Sequence, residues 1–374
     1  MIKVKQNITI LVLGGYGNTG KVLCRYLLQE TDVNVIVAGR RLDKAEELAD
    51  KLKREFLPER VCARYADASN LDSLREAFNN IDLVLVAATT TKWAQQIAET
   101  ALEANIDYLD IYFQQDVYPL LETIEQQIKD SGNCFITQAG FHPGLPAVYI
   151  RQGAQYFDRY NRANVAFAMN FRTDRADSIY EIVDSVADYK PKFFRDGKWQ
   201  IGTYKDTLEI DLGQLFGVKK CTPMEMKEIE ALPEMFGLQE VGVYTTGFNW
   251  FIDWLVFPLI TLSQKINKGL LRGFWARIFT FGINKFSSKE EGVVFILEAE
   301  GKKDSKSQKL RIFSEHISSY EFTVISVLAC LNQYLDGTIR QSGLWMMGHL
   351  VDPERLLDDM EKMGVKFQTL ITTN

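Results

Sequence analysis

From Asn7 to about Ala139, short runs of aliphatic and β-branched residues alternate with segments in which apolar residues recur every three or four positions. Ile8–Leu13, Val33–Ala38, Val61–Tyr65, Leu83–Ala87 and Cys134–Thr137 read as strands. Lys21–Glu30, Leu42–Lys53, Leu71–Phe78, Trp93–Ala104 and Tyr118–Lys129 read as helices. This alternation predicts an α/β domain, a doubly wound parallel sheet covered by helices. From about Asn164 the pattern shifts to longer strands and hairpins, which predicts a second, α+β domain with a mixed or antiparallel sheet. Val165–Arg172 alternates, and Phe193–Ile201 contains the hairpin signal Asp196-Gly197. Glu291–Ala299 and Lys309–Ser314 flank the polar segment Gly301–Gln308, which reads as an exposed hairpin loop. Ser319–Leu335 reads as a helix and Leu344–Met363 as a helical tail. The expected division is 1–145 for the first domain, 146–335 for the second, and 336–374 for a tail packing back on the first.

The length of 374 residues is a little over twice the ~150 of a typical domain and agrees with two domains. A hydrophobic fraction of 46% and a charged fraction of 25% exclude a disordered or repetitive chain. The net charge of −6 argues against nucleic acid as a partner, because phosphate binding needs a basic surface. Five scattered cysteines without a C-x-x-C pair read as reduced thiols of a cytoplasmic protein. Lys3 and Lys5 before an apolar run resemble a signal peptide superficially, but Gly14-Gly15 stands where a cleavage site belongs. No apolar stretch reaches the roughly 20 residues that span a bilayer.

The turn Gly14-Gly15-Tyr16-Gly17-Asn18-Thr19-Gly20 follows the first predicted strand and opens the first helix. Gly15, Gly17 and Gly20 match G-x-G-x-x-G, the dinucleotide fingerprint of a Rossmann-type sheet. Backbone N–H groups of Gly15 to Gly20, including Tyr16, Asn18 and Thr19, would face a pyrophosphate at the helix N-terminus. Gly20-Lys21 almost spells a nucleotide triphosphate loop, yet Val22 stands where a hydroxyl should hold magnesium. Short-chain dehydrogenase chemistry needs a Tyr with Lys four residues later, and none of the 15 tyrosines has one. The second strand ends in Arg40-Arg41 with no carboxylate before Asp43. A guanidinium there suits a 2′-phosphate, which predicts NADP rather than NAD. Arg41 has the further reading of a solvated helix start. Asp67 ends the third strand, placed either to reach the adenine ring or to cap the helix near Leu71. Ala88 and Thr89 follow the fourth strand, where small residues let the backbone approach the nicotinamide half or simply make a turn.

Gly15-Tyr16-Gly17-Asn18-Thr19-Gly20, Ala38-Gly39-Arg40, Tyr108-Leu109-Asp110-Ile111 and Ala139-Gly140-Phe141-His142-Pro143-Gly144-Leu145-Pro146 occur in that order. With this spacing the first ~150 residues resemble saccharopine dehydrogenase-like oxidoreductases. The resemblance implies an NADP-binding domain, an α+β domain with substrate contacts and dimer surface, and a chain end returning to the first domain. It also implies that Asp110 and His142–Pro146 lie near the nicotinamide. His142, with an ordinary pKa near 6.5, would then donate a proton during reduction, helped by Asp110. Imine-reducing members have an acidic residue before Pro-Gly where this chain has His142.

Arg172, Arg175, Tyr180 and Lys190 are candidates for gripping a substrate carboxylate. His316 and His349 lack metal-ligand spacing, so no metal is expected. Phe248–Phe286 holds ten aromatic residues and no acidic residue after Asp253, while Lys265, Lys268, Arg272, Arg277 and Lys285 are cationic. Three readings stand for 248–286: a peripheral membrane surface, a homodimer interface, or core. The expected function is an NADP(H)-dependent oxidoreductase acting on a C=N, C=O or polarised C=C bond of a small or lipid-like substrate. The alternative is a non-catalytic NADP-binding scaffold or redox sensor.

Overall fold

A computed structural model describes residues 8–173, 179–185, 190–203, 205–267 and 269–373. Lys3, Lys5, Arg175 and Lys268 lie outside the described residues. The chain divides into two compact units, Met1–Gly144 with Thr323–Met360, and Leu145–Phe322 with Glu361–Asn374. The segment that rejoins the first unit thus begins at 323 rather than 336, and the last residues belong to the second unit.

The first unit is built on a parallel sheet of seven strands: β1 (Thr9–Leu13), β2 (Asn34–Gly39), β3 (Val61–Tyr65), β4 (Leu83–Val86), β5 (Asp107–Asp110), β6 (Cys134–Thr137), and a last strand from the returning segment, Gly343–Met346. From that last strand the order runs through β6, β5, β4, β1 and β2 to β3. The strands are parallel throughout. β1 and β4 are nearly continuous apolar runs because both faces of a parallel sheet are covered. Leu11, Ile36, Val84, Ile97 and Phe135 pack in the core against the helical layer. The chain reverses its winding between β1 and β4, and open α/β sheets bind ligands at the carboxyl ends of strands there.

Two strands of this sheet do not stand out in the sequence. β5 reads Asp-Tyr-Leu-Asp, too short and too polar at its ends to look buried. The polarity has a use: Asp107 Oδ1 accepts the Cys134 N–H at 2.8 Å, and Oδ2 accepts from the Tyr334 hydroxyl and from Arg340 Nε at 2.9 Å. This buried carboxylate therefore ties the returning segment to the sheet. Gly343–Met346, expected as helix, pairs instead with β6 at Gly343↔Cys134 through Met346↔Thr137. Its apolar spacing continues into the short helix Met347–Leu350 and the helix Pro353–Lys362, and that continuation disguises the strand.

The second unit holds a nine-stranded mixed sheet. Its strands are β7 (Arg159–Asn170), β8 (Lys192–Arg195), β9 (Lys198–Ile201), β10 (Leu208–Asp211), β11 (Val218–Met224), β12 (Glu240–Thr245), β13 (Gly292–Lys303), β14 (Lys306–His316) and, beyond the returning strand Gly343–Met346 (β15), β16 (Lys366–Thr373). The path is β10-β11-β12-β7-β13-β14-β16, with β8 on β12 and β9 on β8. Only β12 and β7 pair in parallel along it. The hairpin at Asp196-Gly197 forms as expected, with positive φ of 54° and 76°. The polar segment 301–308 is not a loop: β13 and β14 pair to Lys303↔Lys306, and only Asp304-Ser305, both at positive φ, turn the chain. Charged side chains on a solvent-facing ladder leave its backbone pairing intact, so polarity alone misplaced the strand ends.

Candidate active site

The turn after β1 is held by backbone. Gly14 and Gly15 N–H groups donate to the Ala38 carbonyl at 2.8 and 3.1 Å. Gly14 has φ +86°, and a Cβ on it would lie 2.7 Å from Ala88 Cβ and 3.0 Å from the Ala87 carbonyl oxygen. A Cβ on Gly20 would collide with the Gly14 carbonyl, and one on Gly15 would meet Val12 O and Val37 Cγ1 at 3.0 Å. Packing therefore accounts for Gly14, Gly15 and Gly20. Gly17 is different: its φ of −69° suits any residue, and an added Cβ would meet only the Gly14 oxygen, at 3.1 Å. It stands just before the helix Asn18–Glu30 with no side-chain cap on that helix. No side chain thus competes for the first-turn amides that a pyrophosphate would take.

Tyr16 reaches from this turn to the end of β2. Its ring lies over Gly39, where a Cβ would be 2.6 Å from Tyr16 Cε1, and its hydroxyl accepts the Arg41 N–H at 3.0 Å. The two arginines have different surroundings. Arg41 grips Asp43, Nη2 to Oδ2 at 2.8 Å and Nε to Oδ1 at 3.4 Å, which holds the Asp43 carboxyl below its ordinary pKa. Arg40 is exposed, and among the described residues no hydrogen bond or ion pair engages it. Asp67 Oδ1 accepts from the Ser69 N–H and hydroxyl at 2.9 and 2.8 Å. The cap of the helix Leu71–Ala77 is Asn70, whose Oδ1 accepts the Ser73 N–H at 3.1 Å, so capping does not occupy Asp67. Ala88 packs on Gly14, Thr89 is exposed, and the Thr90 hydroxyl meets that of Tyr112 at 2.7 Å.

Asp110, at the carboxyl end of β5, is fully buried. Its Oδ1 accepts the N–H groups of Tyr112 at 3.1 Å and Gln138 at 2.9 Å, joining the chain beyond β5 to the chain beyond β6. Its Oδ2 and the buried Tyr108 and Thr137 hydroxyls lie together without closing a hydrogen bond. Burial pushes the carboxyl pKa up to about 6, against the opposing pull of the two amides. Asp110, expected to handle a proton, is enclosed in the fold, where it links the two loops through these amides. Gln138 escaped sequence reading: it takes φ +58°, and its Nε2 donates to the Gln114 carbonyl at 3.1 Å. Nothing in its sequence context marks a left-handed residue.

His142 occupies the turn closed by the Phe141↔Gly144 bridge. Gly144 has φ +123°, and a Cβ there would collide with the Gly140 carbonyl and lie 2.5 Å from Met347 Cε. The residue is half-buried, with its ring between Phe141 at 3.8 Å and Phe113 at 5.6 Å. Desolvation by this aromatic packing pushes its pKa down to about 3, not the 6.5 of a free imidazole. This lowering favours the neutral ring. Of the cations expected to grip a carboxylate, Arg172 and Lys190 are exposed on the second unit. Tyr180 carries the Arg272 guanidinium 4.4 Å from its ring centre.

The two shifted groups give opposite pH dependences. Between about pH 4, the ordinary Asp value, and pH 6, folded Asp110 holds its proton while the unfolded chain releases it. Its contribution is fully present below pH ~4 and lost as pH rises through 6, about 3 kcal/mol over two units. His142 contributes in the other direction, present above its ordinary pKa and lost as pH falls toward 3. In urea unfolding from pH 4 to 7, Asp110→Asn should gain about 3 kcal/mol relative to the wild type as pH rises. A difference independent of pH would contradict the buried-carboxyl assignment.

Residues 10–136 match the family model described as Saccharopine dehydrogenase NADP binding domain. No curated protein matches the chain. Among solved structures, apo saccharopine dehydrogenase (L-Glu forming) from Saccharomyces cerevisiae is similar over 98% of this chain and 100% of its own, with TM-score 0.70 and 13% identity. At that identity the likeness shows the fold. A biliverdin reductase from Synechocystis sp. PCC 6803, solved with biliverdin and NADP+, covers 95% of this chain and 96% of its own at 14% identity, but its TM-score of 0.42 carries no argument. The glycine turn, the strand order and the matched residues lead to one conclusion: residues 10–136 form an NADP-binding domain of the saccharopine dehydrogenase type.

Proposed function

We propose that the protein is an NADP(H)-dependent oxidoreductase that reduces a C=N, C=O or polarised C=C bond of a small or lipid-like substrate. The observation that carries this reading is the pairing of an unfilled Gly17 with an unengaged Arg40, one at the N-terminus of the helix Asn18–Glu30 and the other at the end of β2. The residues fit the cofactor: the first-turn amides would take the pyrophosphate, Arg40 the 2′-phosphate, and Asp67 and the Ala88–Thr89 backbone the two outer halves. When bound, NADPH supplies the hydride. Arg41, committed to Asp43, would shape the turn rather than bind phosphate.

His142 is the candidate electrophile: as a neutral imidazole its N–H would donate a hydrogen bond that polarises the substrate's oxygen or nitrogen, and the proton that completes the reduction would come from water. Asp110 would position that loop and its neighbour through the Tyr112 and Gln138 amides. A second reading, a cofactor-binding redox sensor without catalysis, is favoured by the full enclosure of Asp110, which keeps its carboxyl group from solvent.

In fluorescence titrations Arg40→Ala should weaken NADPH binding about 10- to 100-fold, the worth of a charge-assisted pair, and leave NADH binding unchanged. Equal loss for both nucleotides, or none, would remove Arg40 from the site. A screen of imines, aldehydes and enoyl lipids with NADPH tests the activity. On any substrate found, His142→Ala should lower kcat about 100-fold or more with the NADPH dissociation constant nearly intact. Parallel loss of binding and turnover would count against His142 as donor, and tight NADPH binding with no substrate turned over would favour the sensor.

A further inference from the structure

Residues 248–286 of the second unit carry an apolar surface that neither the cofactor site nor the fold requires. A π-helical turn, Ile252–Val256, runs into the helix Phe257–Ile266, and a second helix, Arg272–Phe286, follows. Ile252, Val256, Ile260, Ala276, Phe279 and Ile283 bury together with Ile179 and Val183. A surface helix ordinarily turns polar residues outward from such a face. Here the outward face of the first helix is apolar as well: Trp254, Leu255, Leu259, Leu262 and Ile266 recur at helical spacing, Trp254 being 82% and Ile266 73% exposed. The second helix adds exposed Phe274 and Phe281. Nine of the 19 exposed large apolar side chains among the described residues fall between 250 and 281, a concentration that marks a contact surface rather than scatter.

The charges around this face select its partner. Asp253, the one carboxylate between residues 248 and 286, is turned to the backbone, its Oδ1 accepting the Phe248 N–H at 3.0 Å. Arg272 is engaged with Asp184 and the Tyr180 ring. Lys265, Arg277 and Lys285 are exposed on the same two helices, in a chain of net charge −6. The cores of protein interfaces are depleted in lysine, whereas an interfacial membrane helix joins aromatic and aliphatic residues to flanking cations that meet anionic headgroups. Among the described residues no helix is long and apolar enough to cross a membrane.

We infer that the face formed by Trp254, Leu255, Leu259, Leu262 and Ile266, with Lys265 on the same helix and Arg277 exposed on the next, docks on the surface of an anionic lipid bilayer. The apolar side chains enter the headgroup boundary and the cations meet lipid phosphates. This inference is independent of the cofactor reading, and either can fail alone.

The test is co-sedimentation of the full chain with vesicles of phosphatidylglycerol and phosphatidylcholine in equal parts, and with phosphatidylcholine alone. The protein should sediment with the anionic vesicles and much less with the neutral ones. Trp254→Ser combined with Leu262→Ser, and separately Lys265→Glu combined with Arg277→Glu, should each weaken binding about tenfold or more with unchanged circular dichroism. Brominated acyl chains should quench tryptophan emission in the wild type and less in Trp254→Phe. Absence of sedimentation, variants that bind as tightly as wild type, or a concentration-dependent dimer abolished by the Trp254→Ser/Leu262→Ser variant would overturn the proposal, the last by assigning the face to a second copy of the chain.

Discussion

The close approach of three backbone segments, with no side chains between them, is the constraint on which the candidate site depends. The Gly14 carbonyl lies against Gly20 of the first helix, Gly14 itself lies against Ala87-Ala88 at the end of β4, and both Gly14 and Gly15 hang from the Ala38 carbonyl of β2. Side chains at these points would push the helix from the sheet before any ligand was concerned. The same closeness brings the helix N-terminus to the sheet's switch point, where a Cβ on Gly17 would press on the Gly14 carbonyl oxygen alone, at 3.1 Å. Packing thus accounts fully for three glycines, and least for Gly17, which has a single backbone contact.

β5 shows how environment separates two chemically identical groups. Asp107 is buried beside Arg340, Tyr334 and the Cys134 amide, so its charge is matched and its work is to secure the returning segment. Asp110, three residues on, has two amides but no cation, and burial lifts its pKa to about 6. His142, packed between Phe113 and Phe141, moves the other way and is left neutral. At this end of the sheet burial thus favours the uncharged forms of both groups, the imidazole of His142 and the carboxyl of Asp110.

The parallel sheet of the first unit was legible because β1, β2 and β4 are apolar runs set between amphipathic helices, and the glycine turn because its spacing follows one such run. β5 was not, since its aspartates make a buried strand look like a loop, and the strand Gly343–Met346 merges with the helical pattern after it. The 301–308 segment was missed for the same reason as β5, polar residues hiding a continuous ladder. At the site, Arg40 and Arg41 are adjacent in sequence and equivalent in type, and only the Asp43 contact tells them apart. The His142 shift was hidden for the same reason, because Phe113 is distant in sequence. In the aromatic segment, sequence gave the composition but not the outward direction of Trp254 and Leu262, which depends on which face Ile252, Val256 and Ile260 take inward.

Gly17 offers the most direct test that the turn is a cofactor cradle and not merely a tight connection. Calorimetric titration with NADPH on the wild type and Gly17→Leu, together with thermal unfolding of both, separates the two roles. The account predicts that Gly17→Leu unfolds within a few degrees of the wild type, the Gly14 carbonyl giving way by a few tenths of an ångström, while NADPH affinity falls about tenfold or more because the rest of the side chain enters the ligand's space. Wild-type NADPH affinity in a normally folded Gly17→Leu would contradict it.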